Sequence, residues 1–374
     1  MRGPTAGGNG KPDGVRRPRA GLGHQEIFER LRREILSGKF GSEAGLPSET
    51  ALARRFGVSR PTMSRVMLDM KREGLIVTHR GAPALLTRFA RNATGALGIV
   101  VPGVCYAEIF SPIVGVLKRL AEQGGWRVLT EAIRSDKPTV RMREARRIAY
   151  LFAKERVAGV FFQPLEFVAD YTAASRAVLA NFDALGIPVL LLDYDIVPPP
   201  DRSEYDLVGI DNVSAGLAVG RHLVRSGAKN VCFLQRPGAA PTVSDRLRGV
   251  ACAMLEANLP WSCRTHVLRC EPESRRAVSR FVAARKPDAI VSGNDAAAAR
   301  LEETLAALGR ADGIRLAGFD DVDIAARLGL TTCRQPLEDL AHVAFQTLLQ
   351  RIRSPYLPPR TVRLSAPLVV RSRA

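Results

Sequence analysis

From Leu97 onward the sequence alternates short apolar runs with helical stretches, and this alternation constrains the fold more than any other feature. Short apolar runs predict buried strands, and the stretches between them predict helices that cover a sheet. A strand, a helix and a further strand in this order form a right-handed unit with parallel strands. We therefore predict an α/β region with parallel sheets over residues 97–374. Because about 280 residues is large for one such domain, the sheet could split into two lobes.

The alternation predicts eight strands, at 97–101, 127–133, 157–162, 189–193, 207–210, 231–234, 289–291 and 316–319. Helices are expected between them, for example at 139–154, 214–226, 274–284 and 296–308.

Polar residues follow several of these predicted strands, and ligands of open parallel sheets bind beyond the carboxyl ends of the strands. Carboxylates and carboxamides there suit a polyhydroxylated ligand, because they accept from and donate to neighbouring hydroxyl groups. Asp and Asn also serve as helix caps at such positions, so the pattern leaves both roles open. The residues are Gln163, Asp193, Asp211, Asn212, Asn294, Asp295, Asp320 and Asp321.

Two short helices joined by a tight turn are predicted between residues 46 and 76. Ser48 and Ser59 each precede an apolar helical pattern and are expected to cap these helices. Pro61 fits only in a first helical turn, so the second helix is expected to begin at Arg60. Polar and basic side chains on the outward side of that helix could read base edges in a major groove. They are Arg60, Thr62, Ser64 and Arg65. An ordinary helical hairpin with a solvated face would show the same pattern.

Positive charge is concentrated at the same end of the chain. Residues 1–90 hold 17 Lys and Arg against 8 Asp and Glu, which gives half of the total net charge of +18. A pI near 10.4 indicates a protein that binds polyanions, and nucleic acid is the expected one. The same basicity could come from base composition, because 47 of the 55 basic residues are Arg.

The composition also bears on other classes of protein. No apolar run reaches the roughly 18 to 20 residues of a membrane span, and the first 23 residues lack the apolar segment of a signal peptide. Six cysteines show no C-x-x-C spacing and are expected to be reduced, partly buried thiols in a cytoplasm, without metal. No Walker loop, G-x-S-x-G elbow or metal-spaced His set is present, so we expect no cofactor, no catalytic residues and no enzyme.

Four regions are expected along the chain. Residues 1–23 form a basic arm without order, and residues 24–89 form a DNA-binding domain whose first helix has Ile27, Leu31 and Ile35 on one stripe. Residues 90–96 form a polar linker. Residues 97–374 form the effector-binding and dimerisation region.

Residues 46–76 resemble the winged helix-turn-helix of GntR-type bacterial transcription regulators. The motifs are LPSE at 46–49, VSRPT at 58–62 and EGLI at 73–76. The resemblance implies a DNA-binding set of Ser48, Thr50, Ser59, Arg60, Thr62, Ser64, Arg65, Arg80 and Gly81. Two departures occur: Thr50 stands where the family often has a basic residue, and Gly81, Ala82 and Pro83 replace the usual Gly-x-Gly-Thr turn of the wing, which makes its tip stiffer.

Residues 97–373 are similar to the effector domain of LacI/GalR-type repressors and to the periplasmic sugar-binding fold. The motifs are IDNVSAG at 210–216, HLVRSGAKNVCFL at 222–234, SDRLRG at 244–249, SGND at 292–295, AGFDD at 317–321, LTTCRQP at 330–336 and LVVRS at 368–372. The resemblance implies effector contacts at Gln163, Asp193, Thr242, Arg246, Asn294, Asp320 and Gln335. Arg246 and Asp320 are expected to be two sides of one clamp. The family's Asn-Pro-Phe is replaced by CYAEIF at 105–110, where Tyr106 or Phe110 could stack on a sugar or pack in the core.

The pairing of these two parts resembles the arabinose-repressor class of hybrid regulators. The hypothesis is a cytoplasmic, homodimeric transcription regulator, and specifically a repressor, that binds double-stranded operator DNA. A small sugar or related metabolite would control its affinity for DNA by closing two lobes. The alternative is a solute-binding protein linked to transport, against which the predicted reading helix and the missing signal peptide count.

Overall fold

The structure is a computed structural model of the 374-residue chain, and it describes residues 23–36, 39–40, 46–78, 83–86, 95–102, 107–135, 137–168, 170–198 and 200–371. The predicted basic arm, most of the predicted linker, and Arg80 and Gly81 of the predicted wing therefore lie outside the described residues. What is described forms a small N-terminal domain and two α/β lobes, as the sequence predicted.

The N-terminal domain is three helices and a two-stranded antiparallel ribbon in which Ile76 pairs with Leu86. Apolar side chains of all three helices meet in its core, where Leu31, Leu52 and Met63 are fully buried. Its elements are α1 (His24–Leu36), α2 (Glu49–Phe56), α3 (Arg60–Arg72), β1 (Ile76–Val77) and β2 (Leu85–Leu86).

Lobe 1 contains a six-stranded parallel sheet with the strand order β13-β7-β6-β5-β3-β4. Several of its strands are buried along their whole length, because helices cover both faces. Its strands are β3 (Ala96–Pro102), β4 (Arg127–Ile133), β5 (Val160–Phe162), β6 (Val189–Leu192), β7 (Asp206–Ile210) and β13 (Thr361–Leu364). Its helices are α4 (Ala107–Gln123), α5 (Pro138–Lys154), α6 (Tyr171–Asp183) and α12 (Leu337–Arg353).

Lobe 2 contains a four-stranded parallel sheet with the order β11-β10-β8-β9. Its strands are β8 (Val231–Gln235), β9 (Val267–Arg269), β10 (Ala289–Ser292) and β11 (Arg315–Ala317). Its helices are α7 (Asn212–Arg225), α8 (Pro241–Glu256), α9 (Arg275–Arg285), α10 (Asp295–Ala307) and α11 (Asp323–Leu328). Two short strands, β12 (Thr332–Cys333) and β14 (Leu368–Val369), pair antiparallel near the boundary between the lobes.

The chain crosses between the lobes three times: after Ile210, between Cys333 and Leu337, and between Leu364 and Leu368. The split into two lobes that the length suggested is confirmed. One predicted strand, 157–162, is shorter than expected and begins at Val160. The reason is local, because the Val157 N–H donates to the carbonyl of Phe152 and closes the end of α5.

Helices α7 and α8 cross at very close range, and two glycines make this possible. A Cβ at Gly216 would lie 2.0 Å from the carbonyl oxygen of Arg246, and one at Gly249 would lie 2.1 Å from that of Val213. Only glycine fits such an approach. The crossing fixes the backbone of α8 where Arg246 leaves it.

Candidate DNA-binding face and effector cavity

Serine caps and a left-handed glycine build the turn between α2 and α3. The Ser48 Oγ accepts from the Ala51 N–H at 3.2 Å, and the Ser59 Oγ accepts from the Thr62 N–H at 3.3 Å. Gly57 ends α2 with φ +68°, a conformation that glycine adopts without strain. The predicted caps and the start of α3 at Arg60 are confirmed.

The first turns of α3 present a polar, basic surface to the solvent. Arg60, Ser64 and Arg65 are exposed, and the partly buried Thr62 places its Oγ1 2.8 Å from the Ser59 Oγ. The first turn contains no acidic residue, so the positive end of the helix dipole is uncompensated there. Thr50 lies half-buried in the first turn of α2. This surface can approach a phosphate backbone and place side chains against base edges.

A cavity of about 630 Å³, which includes space open to solvent, lies between the two lobes. Six of the seven predicted effector residues line it: Asp193, Thr242, Arg246, Asn294, Asp320 and Gln335. Gln163 is the exception: it follows β5, its side chain is fully buried and it does not belong to the cavity wall, so its contact with an effector stays a prediction.

Arg246 is the centre of the polar wall. Its Nε donates to the Asn212 Oδ1 at 2.8 Å, and its Nη1 donates to the carbonyl of Gly293 at 2.7 Å. Its Nη2 lies 3.3 Å from the Asp320 Oδ1, which also accepts from the Gln335 Nε2 at 2.7 Å. These partners fix the planar guanidinium in one orientation.

The expected clamp of Arg246 and Asp320 needs correction. Both residues belong to lobe 2, and they form a direct, nearly fully buried ion pair instead of facing each other across an empty gap. The guanidinium also lies over the ring of Phe319, 4.8 Å from its centroid. A ligand would therefore contact the Arg246–Asp320 ion pair as one preformed polar surface. The sequence could not show this, because the two residues are 74 positions apart and only the fold makes them neighbours.

Two aspartates of the wall have backbone conformations that favour glycine. Asp193 follows β6 with φ 75°, and Asp320 follows β11 with φ 112°. Gly209 permits the first of these turns, since a Cβ there would lie 2.4 Å from the Asp193 carbonyl oxygen. Strain of this kind clusters at ligand sites, where the surrounding structure holds it in place.

The electrostatic surroundings of Asp193 differ from those of an ordinary surface carboxylate. Burial raises its pKa to about 6; Arg246 opposes the increase and Asp320 adds to it. Part of the side chain still reaches the open space of the cavity. Asp193 therefore titrates close to the physiological range.

Asp295 forms hydrogen bonds to segments next to the cavity. Its carboxylate accepts from the Thr332 hydroxyl at 2.8 Å and from the Val322 N–H at 3.2 Å. Burial and the nearby Asp320 raise its pKa. Asn294, one residue earlier, caps α10 by accepting from the Ala297 N–H at 2.8 Å. Asn294 thus acts as a helix cap while it lines the cavity.

Sequence reasoning missed several contributors to the wall. Glu166 lines the cavity, and its Oε2 accepts from the Ala240 N–H of lobe 2 at 3.1 Å. The sequence contains no signal for it, because it lies in a loop after β5 without a motif. Most of the apolar part of the wall was also missed, since its members look like ordinary core residues; of these, only Phe110 was considered as a residue that stacks on a sugar or packs in the core. The apolar members are Ile109, Phe110, Ile113, Leu192, Val208, Val243 and Leu340.

Within the described ranges, no group of three or more His, Cys, Asp or Glu side chains is placed to hold a metal ion. No helix among the same residues is long and apolar enough to span a membrane. Of the described cysteines, Cys252 and Cys263 are exposed, so the expectation of partly buried thiols does not hold for these two.

Comparisons with known proteins agree with this two-part architecture. Residues 24–86 match the bacterial regulatory proteins of the gntR family, and residues 221–372 match the periplasmic binding protein-like domain. The arabinose metabolism transcriptional repressor of Geobacillus stearothermophilus is 25% identical over 87% of this chain and 91% of its own length. The ribose operon repressor of Escherichia coli K12 is 24% identical over 86% of this chain and 98% of its own length.

Solved structures show the same fold. The transcriptional regulator CelR in complex with cellobiose has a TM-score of 0.63 and 20% identity, covering 88% of this chain and 100% of that one. A LacI family regulator from Enterococcus faecium with bound ribose has a TM-score of 0.59 and 19% identity, covering 75% of this chain and 98% of that one. The chain is therefore similar to the gntR family of bacterial regulatory proteins over residues 24–86 and to the periplasmic binding protein-like domain over residues 221–372.

Proposed function

We propose that the protein is a homodimeric repressor that binds operator DNA through the first turns of α3 and that a small sugar-like effector in the cavity controls this binding. The observation that carries the proposal is the presence, in one chain, of an exposed basic helix start and an interlobe cavity lined by polar side chains from strand ends. The domain division proposed with it is 24–89 for DNA and 97–374 for effector and dimer contacts.

The comparisons favour a regulator over the transport alternative. Relatives that cover most of this chain are named as an arabinose metabolism transcriptional repressor and a ribose operon repressor. A transport-linked binding protein would have no use for an N-terminal domain with an exposed basic helix start. A dimer would place two α3 helices on half-sites about one helical turn apart, or a multiple of it.

The DNA part is tested with Arg60→Ala in mobility-shift titrations on operator and random DNA. Removing a side chain that reads a base edge should cost about 1–3 kcal/mol on the operator and little on random DNA. Arg72→Ala is the matched control, because Arg72 is an exposed arginine at the other end of α3. Equal losses for Arg60→Ala on both DNAs would instead assign Arg60 to the phosphate backbone.

The effector part is tested by a thermal-shift screen of sugars, followed by calorimetry. A ligand at 100 times its dissociation constant stabilises the folded protein by about 2.7 kcal/mol. Asp320→Asn should keep operator binding and lose the response to the effector, because Asp320 organises Arg246 and Gln335. A variant that folds and responds at unchanged effector concentration would remove Asp320 from the binding site.

A further inference from the structure

The two sides of the interlobe cavity differ in chemistry. Lobe 2 and the crossing segment supply most of its hydrogen-bonding side chains, which are Thr242, Arg246, Asn294, Asp320 and Gln335. Lobe 1 supplies mainly hydrocarbon, in the side chains of Ile109, Phe110, Ile113, Leu192, Val208 and Leu340. Among the described residues of lobe 1, only Glu166 and Asp193 add charged groups to the wall.

The polar side can bind one edge of a ring. In the described part of the chain, the Asn294 Nδ2 and the Gln335 Oε1 make no hydrogen bond, while their other amide atoms are engaged. Arg246 uses two N–H groups in hydrogen bonds and a third toward Asp320, which leaves donors for a ligand. Both donors and acceptors are thus available on this side, and hydroxyl groups can use both.

The aliphatic side chains of lobe 1 cannot hydrogen-bond to hydroxyl groups; among the described residues of that lobe that line the cavity, the side chains of Glu166 and Asp193 can. Ile113, Leu192 and Val208 are each at most 4% exposed, so a ligand hydroxyl placed against them would lose its water without gaining a partner. A methyl group or a C–H edge at the same place would gain contact area instead.

The charge of the cavity wall further limits the class of ligand that can bind. Among the described residues that line the cavity, three carry carboxyl groups, Glu166, Asp193 and Asp320, and one carries a guanidinium, Arg246, which is paired with Asp320. An anionic ligand would therefore meet net repulsion in a desolvated cleft.

We propose that the effector is an uncharged deoxy sugar, with its hydroxyl edge on the polar groups of lobe 2 and its deoxygenated edge on the aliphatic wall of lobe 1. This inference rests on the proposed function and names the substrate class of the same cavity. A deoxy sugar differs from the corresponding fully hydroxylated sugar by one hydroxyl group, so the proposal can be tested with compounds that differ at one carbon.

The experiment is calorimetric titration of the full-length protein with D-fucose, D-galactose and D-galacturonate, which differ only at C6, and with L-rhamnose against L-mannose. The 6-deoxy member of each set should bind on the order of ten-fold tighter than its hydroxylated parent, and the uronate should bind weakest. Operator mobility shifts with the same sugars report whether binding is transmitted to DNA.

Matched variants locate the preference on the wall. Ile113→Thr adds a hydroxyl to the hydrocarbon side and should reduce the preference for the deoxy sugar, whereas Ile113→Val has nearly the same shape as the Thr variant and should retain it. Operator binding by both variants checks that they fold. Equal or tighter binding of the hydroxylated parents would overturn the deoxy-sugar assignment and leave the regulator intact. No binding of any of these sugars by a protein that still binds operator would overturn both the deoxy-sugar assignment and the sugar-like effector.

Discussion

At the scale of single residues, Asp193 combines a raised pKa with a strained backbone. Burial raises its pKa to about 6, against about 4 in an unfolded chain. A carboxyl group with a raised folded pKa binds its proton more tightly in the folded protein. The contribution of Asp193 to the free energy of unfolding is therefore fully present below about pH 4 and is lost as the pH rises through about 6.

Asp193→Asn should remove this pH dependence, because the amide does not ionise and Asn tolerates positive φ. We expect the variant to unfold at a higher temperature than the wild type at pH 7.5, with the difference shrinking as the pH falls toward 4. Thermal unfolding of both proteins in a pH series measures it. A difference of equal size at every pH would mean that the substitution acts through packing or backbone and not through charge.

At the scale of elements, the close crossing of α7 and α8 positions the cavity's arginine. Gly216→Ala would place a Cβ 2.0 Å from the Arg246 carbonyl, so the helices must separate and carry Arg246 away from Asp320. We expect a loss of roughly 1–3 kcal/mol in unfolding free energy from such overpacking, together with weaker effector binding.

Gly115→Ala is the control for that substitution. Gly115 also lies inside a helix, α4, but a Cβ there meets nothing within 4 Å. Alanine should therefore stabilise the protein by up to about 1 kcal/mol through helix propensity. Chemical denaturation of the two variants should give opposite signs. A Gly216→Ala protein as stable as the wild type would show that the crossing tolerates separation.

The sequence patterns predicted the positions of strands and of motif residues better than they predicted which side chains contact each other. The strand predicted at 127–133 has those bounds in the structure, and the expected effector residues Arg246 and Asp320, which lie in motifs, and Asp193, which follows a predicted strand, line the cavity. Hydrophobic periodicity could not show that Gln163 turns into the interior, because its position after β5 is compatible with either direction. It also could not show which motif residues would pair with each other, since pairing depends on how distant segments pack.

At the scale of the whole molecule, a contact between the lobes borders the cavity. The Phe167 N–H of lobe 1 donates to the Gly238 carbonyl of lobe 2 at 2.9 Å, and the Arg236 guanidinium lies 4.8 Å from the centre of the Phe167 ring. Neither Phe167 nor Arg236 lines the cavity. Their contact therefore stabilises this arrangement of the lobes without touching a ligand.

Phe167→Ala should weaken effector binding several-fold, because binding would then have to supply the free energy that this contact contributes. Leu185→Ala is the matched control, since Leu185 is an apolar residue of lobe 1 with similar exposure, 42% against 39%. Calorimetry with the effector compares the two variants. Equal affinities of the two variants would mean that the Phe167 side chain does not affect the free energy of lobe closure.

One helix connects the cavity to the DNA-binding domain. Helix α12 begins two residues after Gln335 and is about 26 Å long at 1.5 Å per residue. Its last residue, Arg353, packs against Gly74 in the turn between α3 and β1, where a Cβ on Gly74 would lie 3.3 Å from the Cβ of Arg353. A movement of the helix that starts at the cavity would therefore reach the end of the reading helix.

Arg353→Gly should uncouple the two sites. We expect unchanged effector affinity by calorimetry and operator affinity within a few-fold of the wild type without effector, but a smaller change of operator affinity when effector is added. The physical reason is that allosteric coupling needs an element that both sites bias, and the variant removes the Cβ by which α12 packs against Gly74. Tyr356→Ala is the control, because Tyr356 is 98% exposed in the loop directly after α12. If the Arg353 variant retains the full effector response, the signal must reach the DNA-binding domain by a route other than the end of α12.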